Sequence, residues 1–229
     1  MDKILIVKIG GKLINDSHVL HRFLKSFAKI KTKKILIHGG GNQVTKMCKK
    51  LNLDIKIRNG RRITSIHDLE VATMIYAGSL NKTLVTKLQS FNCNSIGLSG
   101  ADANLIESVK RPVKDIDYGL VGDIKKINSV FLKKLIDQNL TPVICSITHD
   151  KNGQLLNTNA DTISSEIAIS LSKYYIVNLI YCHEKNGVLS NPNDDNSTFG
   201  QLNEKEFSNY LKLNICLLYT SDAADDWSS

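Results

Sequence analysis

Two short apolar runs in this chain end in glycine and then change character. "KILIVKI" at residues 3–9 is followed by Gly10 and Gly11, and "KKILIH" at 33–38 by Gly39, Gly40 and Gly41. Helical segments come after both. A continuous apolar run of this length, rich in β-branched residues, reads as a strand buried on both faces. Residues 18–30, "HVLHRFLKSFAKI", and the stretch after Gly41 carry apolar residues at helical spacing instead.

The pattern continues along the chain. "DLEVATMIYAG" and "LNKTLVTKLQSF" predict two helices parted by Gly78, and "NSIGLSG" and "TPVICSI" two more buried strands. Between the latter lie a hairpin-like "VKRPVKDIDYGLVGDIKKI" and the helix "SVFLKKLIDQN"; "TISSEIAISLSK" then predicts a helix and "YYIVNLIYC" a strand. Strands alternating with helices of ten or more residues require a largely parallel sheet, because parallel neighbours are joined by crossovers. The expected class is α/β, a three-layer αβα sandwich around a mostly parallel open sheet. In such sheets ligands bind outside the carboxyl ends of the strands, where both glycine clusters fall.

Composition narrows the alternatives. No run of about 18 apolar residues is present and no leader pattern opens the chain, so a cytoplasmic protein without membrane partners is expected. Five scattered cysteines without a C-x-x-C pair indicate neither a disulfide framework nor a zinc site. The net charge of +8 is spread over predicted helices rather than gathered with aromatics into a stripe, which argues against a nucleic-acid partner and leaves the charge free to draw in an anionic substrate.

Glycine at a strand end admits positive φ and lets backbone N–H groups approach a ligand without an intervening Cβ. Where a helix also begins, its free N–H groups and dipole favour an anion. The usual phosphate loops do not fit. "GGK" is followed by Leu13 rather than the hydroxyl of a Walker A loop, and no glycine follows Gly41 at the spacing of the dinucleotide fingerprint. Lys8 lies two residues before Gly10 in an otherwise apolar strand, where lysine is rare without a partner, and its neighbours favour neutralising an anion.

Taken in order, "VKIGGK", "IHGGGN", "NGRRIT", "GLSGADAN", "VGDI" and "LNTNADTIS" resemble the N-acetylglutamate kinase branch of the amino acid kinase family, over about Lys3 to Leu213. The resemblance implies transfer of the γ-phosphoryl of ATP, bound with Mg2+, to the side-chain carboxylate of an N-acylglutamate in the arginine pathway. Carried onto matching positions, it gives catalytic roles to Lys8, Gly11 and Asp161, and substrate contacts to Gly40, Gly41, Arg62 and Asn157. Nucleotide contacts fall to Gly10, Tyr181, Glu184 and Gly187, with no protein-bound metal site. It also implies a homodimer built through first-half helices. A lobe of residues 1–172 would hold the acyl amino acid, and 173–213 would form part of a nucleotide lobe.

The chemistry of these residue types agrees. A glutamate side chain, with a reference pKa of about 4.3, is already a nucleophilic carboxylate at neutral pH and needs no general base. It needs relief of repulsion from the nucleotide and in-line positioning, which glycine N–H groups and lysine supply. Arg62 offers a planar fork to an α-carboxylate. Asn157 and Asn159 are equally suited to cap the next helix, and Asp161 to serve as a first-turn acid. His38 is expected to pack beneath the loop without moving protons.

The family pattern breaks after "LNEKEFSNYLKLNI". "CLLYTSDAADDWSS" carries no lysine or arginine, three aspartates and the single tryptophan, so residues 214–229 read as a non-native tail and the C-terminal lobe as incomplete. The expected second catalytic lysine is missing, and loss of one such donor typically costs on the order of 100 to 1,000-fold in rate. A poor or inactive kinase is therefore expected. The first strand starts by Lys3, without room for the N-terminal helix that relatives use in arginine-inhibited hexamers, so a dimer without arginine feedback is also expected. The alternatives are a catalytically dead acyl-amino-acid binding module, or a relative acting on another carboxylate such as aspartate or carbamate.

Overall fold

The structure, a computed structural model, describes residues 1–58 and 61–182, with 187, 189–191, 194, 196–201, 203, 205 and 206 beyond them. In chain order the first elements are β1 (Lys3–Ile9), α1 (Gly11–Asn15), α2 (Ser17–Lys29), β2 (Lys33–His38), α3 (Gly41–Lys50), β3 (Ile57–Arg58) and β4 (Arg61–Arg62). Next come α4 (Ile66–Thr73), a π-helical segment Met74–Leu80, α5 (Asn81–Ser90), β5 (Ser95–Leu98), a short 3₁₀ turn at Asp102–Asn104, β6 (Ile106–Lys110) and β7 (Gly122–Ile127). The series continues with α6 (Ser129–Asp137), β8 (Thr141–Cys145), β9 (Ile147–His149), β10 (Leu155–Asn157), α7 (Ala160–Leu171) and β11 (Ile176–Cys182).

Among the described residues, five strands form the main sheet in the order β11-β1-β2-β8-β5, and every neighbouring pair is parallel. Strand periodicity of two assigns its side chains to opposite faces. Ile4 and Ile6 of β1 join Ile35, Ile37 and Ile144 against Leu132 and Ile136 of α6 and Ile163, Ile167 and Leu171 of α7. Val7 and Ile9 join Leu36 and Val143 on the other face, packed by Leu24 and Phe27 of α2 and Leu84 and Leu88 of α5. Each fully buried side chain of this size contributes about 1.5–3 kcal/mol. The result is helix, sheet, helix, as the sequence pattern requires.

Parity also decides where the exceptions point. Lys8 shares the face of Ile4 and Ile6, so it is directed at α7. Lys34 shares the face of Leu36 and is directed at α2.

Two features depart from expectation. The helices flanking Gly78 are not parted by a turn: α4, the π-helical segment and α5 run on without a break, and a Cβ at Gly78 would meet nothing within 4 Å. The hairpin of β6 and β7 does not stand alone but belongs to a second, four-stranded sheet in the order β10-β9-β6-β7. A third apolar cluster, which includes Val44, Cys48, Leu69, Ile75, Tyr76, Cys145 and Ile147, ties α3 and α4 to this sheet.

Candidate active site

The carboxyl ends of β1, β2, β8 and β11 meet the N-termini of α1, α3 and α7. Lys8, one residue from the end of β1, is 1% exposed, and its Nζ lies 3.2 Å from Oδ1 of Asp161 in the first turn of α7. Asn159 caps that helix by accepting from the Thr162 N–H at 2.9 Å. The helix N-terminus favours the Asp161 carboxylate, and the carboxylate holds the ammonium in place. In register with Lys8 on β11 stands Tyr181, whose hydroxyl donates to the Asp161 carbonyl at 3.3 Å. Burial, and then the Asp161 charge, push the Tyr181 phenol above its usual pKa.

The two glycine turns are stitched together by the Gly39 N–H, which donates to the Ile9 carbonyl at 3.3 Å. Gly10 is buried between β1 and α1, and Gly11 starts α1 at φ +50°. Gly40, at φ +145° and ψ 33°, occupies the N-cap position of α3, and Gly41 is that helix's first residue. A Cβ on Gly40 would come within 2.8 Å of Leu80 Cδ2 and 3.3 Å of the Tyr76 ring. No other residue type fits both the torsion and the space. Beneath the turn His38 is fully buried: its Nδ1 donates to the Gly39 carbonyl at 2.9 Å, and its Nε2 accepts from Asn81 Nδ2 at 3.1 Å. Each of these two bonds fixes the imidazole as a packing element, as the sequence suggested.

Arg62, 5% exposed, is held on β4 by Thr45 of α3, whose hydroxyl accepts from Nη2, and by Asp68 of α4, whose Oδ1 lies 4.0 Å from Nη1. Asp68 is itself fixed by the capping box it forms with Ser65. Asn157 does not cap α7; its Nδ2 donates to Thr64 Oγ1 at 3.2 Å while its backbone N–H donates to the Leu120 carbonyl. Arg62 and Asn157 face one cleft, walled further by Tyr76, Val121, Ser146 and Thr158. Arg61, Arg111 and Asn159 complete its lining. Ser146 links this cleft to the glycine turns, because its hydroxyl donates to the His38 carbonyl and its own carbonyl accepts from the Thr158 N–H.

Lys8, Asp161, Tyr181, Gly10, Gly11, Gly40 and Gly41 thus gather at the strand ends, with Arg62 and Asn157 in the adjoining cleft. At Gly187, the φ of +158° and a Cβ that would meet Thr198 Cγ2 at 2.7 Å both favour glycine. Glu184 and the expected non-native tail lie outside the described residues. Sequence reasoning missed Tyr76, Ser146 and Arg111, which carry no motif of their own.

A family model described as the amino acid kinase family matches residues 3–223. The chain belongs to the amino acid kinase family. Among this family's members, acetylglutamate kinases from Bacteroides fragilis and Cytophaga hutchinsonii are 47% and 48% identical to it. The first alignment covers 92% of this chain and 80% of the relative, and the second 89% and 77%. The smu.665 protein of Streptococcus mutans superposes with a TM-score of 0.77 at 22% identity, over 93% of this chain and 83% of that one. A carbamate kinase from Giardia gives a TM-score of 0.53 at 15% identity over 93% and 81%. The amino acid kinase fold is thus retained at identities too low to carry function. Among the described residues no helix is long and apolar enough to cross a membrane, and no group of three or more His, Cys, Asp or Glu is placed to hold a metal ion.

Proposed function

We propose that this chain transfers the γ-phosphoryl group of ATP to the side-chain carboxylate of N-acetyl-L-glutamate, or a close N-acylglutamate, in arginine biosynthesis. The observation that carries this reading is a buried, carboxylate-held ammonium, Lys8, at the junction of two glycine turns, beside a cleft containing a buried guanidinium and an amide. Relatives at 47% and 48% identity named acetylglutamate kinase support it.

In the step proposed, a carboxylate oxygen forms the new O–P bond as the bond from the γ-phosphorus to the β–γ bridging oxygen breaks, and ADP departs with that electron pair. No proton has to move. Lys8 and the N–H groups of Gly11 and Gly40 take up charge on the equatorial phosphoryl oxygens, where preorganised donors act without reorganisation. Asp161 keeps the Lys8 ammonium aimed. Arg62 receives the α-carboxylate as a two-pronged donor, and Asn157 and Gly41 hold the amide end. Gly10, Tyr181, Glu184 and Gly187 complete the nucleotide side. Magnesium would arrive with ATP, where it would offset phosphate charge with ligands drawn mainly from the nucleotide itself.

We further propose that the protein acts in the cytoplasm as a homodimer. Ile66 and Met74, exposed on α4 and the π-helical segment, support a self-association surface there. Sedimentation at micromolar concentration checks the dimer.

ADP release coupled to hydroxylamine trapping tests the reaction. N-acetylglutamate-dependent ADP with a matching yield of hydroxamate is expected, since hydroxylamine captures acyl phosphates. ADP release that ignores the acyl amino acid, or that yields no hydroxamate, refutes the proposal.

A further inference from the structure

Seven of the nine residues lining the cleft beside the glycine turns carry a guanidinium, amide or aliphatic hydroxyl group, but much of the surface they present is carbon; Tyr76 and Val121 are the two remaining, largely apolar, side chains. An N-acylglutamate has two carboxylates, an amide and one alkyl end. With one carboxylate at Lys8 and the other at Arg62, the alkyl end has Tyr76 as its large apolar partner.

Tyr76 is unusual in what holds it. It lies 3% exposed in the π-helical segment, whose widened turn is shown by the Asn81 N–H donating to the Tyr76 carbonyl five residues back. In an α-helix, residues i and i+4 share a face while i+5 turns away. The wider turn lets Tyr76, Leu80 and Asn81 all reach the end of β2. Tyr76 and Leu80 press on Gly40, and the Asn81 amide donates to His38 Nε2 at 3.1 Å and to the Val143 carbonyl at 2.9 Å. Single π-helical turns of this kind occur often at functional sites.

The ring therefore cannot retreat without unpacking the turn that faces the phosphoryl group. Arg61 and Arg111 line both this cleft and the neighbouring cavity, so growth of an alkyl chain on that side meets cationic side chains. We propose that Tyr76, locked between the π-helical turn and Gly40, is the specificity-determining wall that limits the N-acyl substituent to acetyl size. The inference rests on the N-acylglutamate reading above and adds the residue that reads the acyl group.

Calorimetric titration of the full chain with N-acetyl-, N-propionyl- and N-butyrylglutamate tests it without requiring turnover. In the wild type, affinity is expected to fall by about 10-fold or more from acetyl to butyryl, the usual scale for methylene discrimination in a pocket. Tyr76→Phe keeps the ring and should keep that ratio. Tyr76→Leu should bring the two ligands to within about threefold, whereas a merely structural role would weaken all three equally. A wild type that binds butyryl within about twofold of acetyl overturns the inference whether or not the leucine variant folds, as does a Tyr76→Leu protein that keeps the wild-type ratio. Absence of heat with every N-acylglutamate defeats the substrate reading as well; binding with a flat acyl dependence defeats the Tyr76 inference alone.

Discussion

Lys8 and Lys34 sit on neighbouring strands of one sheet, 1% and 7% exposed, and their surroundings are opposite in kind. At the carboxyl pole, Lys8 meets the Asp161 carboxylate at the N-terminus of a helix, beside the glycine turns. At the amino pole, Lys34 Nζ donates to the carbonyls of Phe27 at 2.9 Å, Ala28 at 2.9 Å and Ile30 at 2.7 Å, closing the C-terminus of α2. Three acceptors match the three donors of an ammonium, so nothing is left over for a ligand. Burial also pushes the Lys34 pKa down. A buried lysine is thus no sign of a site by itself. One that is balanced by a carboxylate at the ligand pole points to chemistry, and one consumed by helix carbonyls points to folding.

The sharpest test of this contrast is Lys8→Met. Removing a preorganised charge from a phosphoryl-transfer site should lower the rate of ADP release by about 100 to 1,000-fold. Asp161 would lose the Lys8 ammonium from its surroundings in that variant, an unfavourable change for a carboxylate with a buried oxygen. Adding Asp161→Asn should therefore recover thermal stability without recovering turnover. Full activity in Lys8→Met would erase the distinction between the poles.

Gly40→Ala probes the same pole through the backbone. The torsion of +145° and the 2.8 Å approach to Leu80 Cδ2 predict a loss of about 1–3 kcal/mol in urea denaturation, together with weaker turnover. Gly78→Ala is the control, since its Cβ would meet nothing within 4 Å and an exchange of glycine for alanine in a helical segment gains roughly 0.5–1 kcal/mol. Equal effects at the two glycines would show that the turn is not under the constraint inferred.

Lys34→Met should behave in the converse way to Lys8→Met. It strands helix carbonyls in a buried setting, at a cost of about 1–3 kcal/mol in denaturant unfolding, while N-acetylglutamate affinity stays at the wild-type value. A change in affinity without a change in stability would break the comparison.

The asymmetry between the poles was only half legible in the sequence. β1 and β2 are the runs "KILIVKI" and "KKILIH" residue for residue, because an unbroken apolar stretch closed by glycine leaves a buried parallel strand as its best solution. Lys8 stood out as the odd residue in such a run. Lys34 did not, since a lysine at the start of a strand reads as solvent-facing until the helix end above it is known. The four-stranded sheet was hidden because β9 and β10 are three residues each, too short to show alternation. The π-helical segment was hidden for a different reason: one widened turn adds a residue without any change in composition. Tyr76 consequently looked like one more apolar helix residue. Arg62 was found through its motif, but its grip by Thr45 and Asp68 depends on contacts across 17 and 6 positions that no local pattern reports.

The smallest expected effect lies at the amino pole, where Asp137 of α6 accepts from Lys133 and, at 3.2 Å, from the Tyr175 hydroxyl, with Lys33 at 3.7 Å. The Lys133 hydrogen bond, then the tyrosine and the two ammonium charges, hold the Asp137 carboxyl below its usual pKa. An acid whose pKa is depressed on folding stabilises the fold at pH above its unfolded value, about 3.9 for aspartate, and loses that contribution as pH falls through the folded value. Asp137→Asn should therefore unfold at a slightly lower temperature than the wild type near neutrality, and the two melting curves should converge under acid. The group is solvent-exposed, so screening keeps the difference small and added salt should shrink it further. A gap that persisted unchanged into acid would mean that Asp137 acts through packing or helix geometry and not through charge. Since Lys33, Asp2 and Tyr175 belong to the same network, the amino pole would then have to be read as a steric seam and not as an electrostatic clasp.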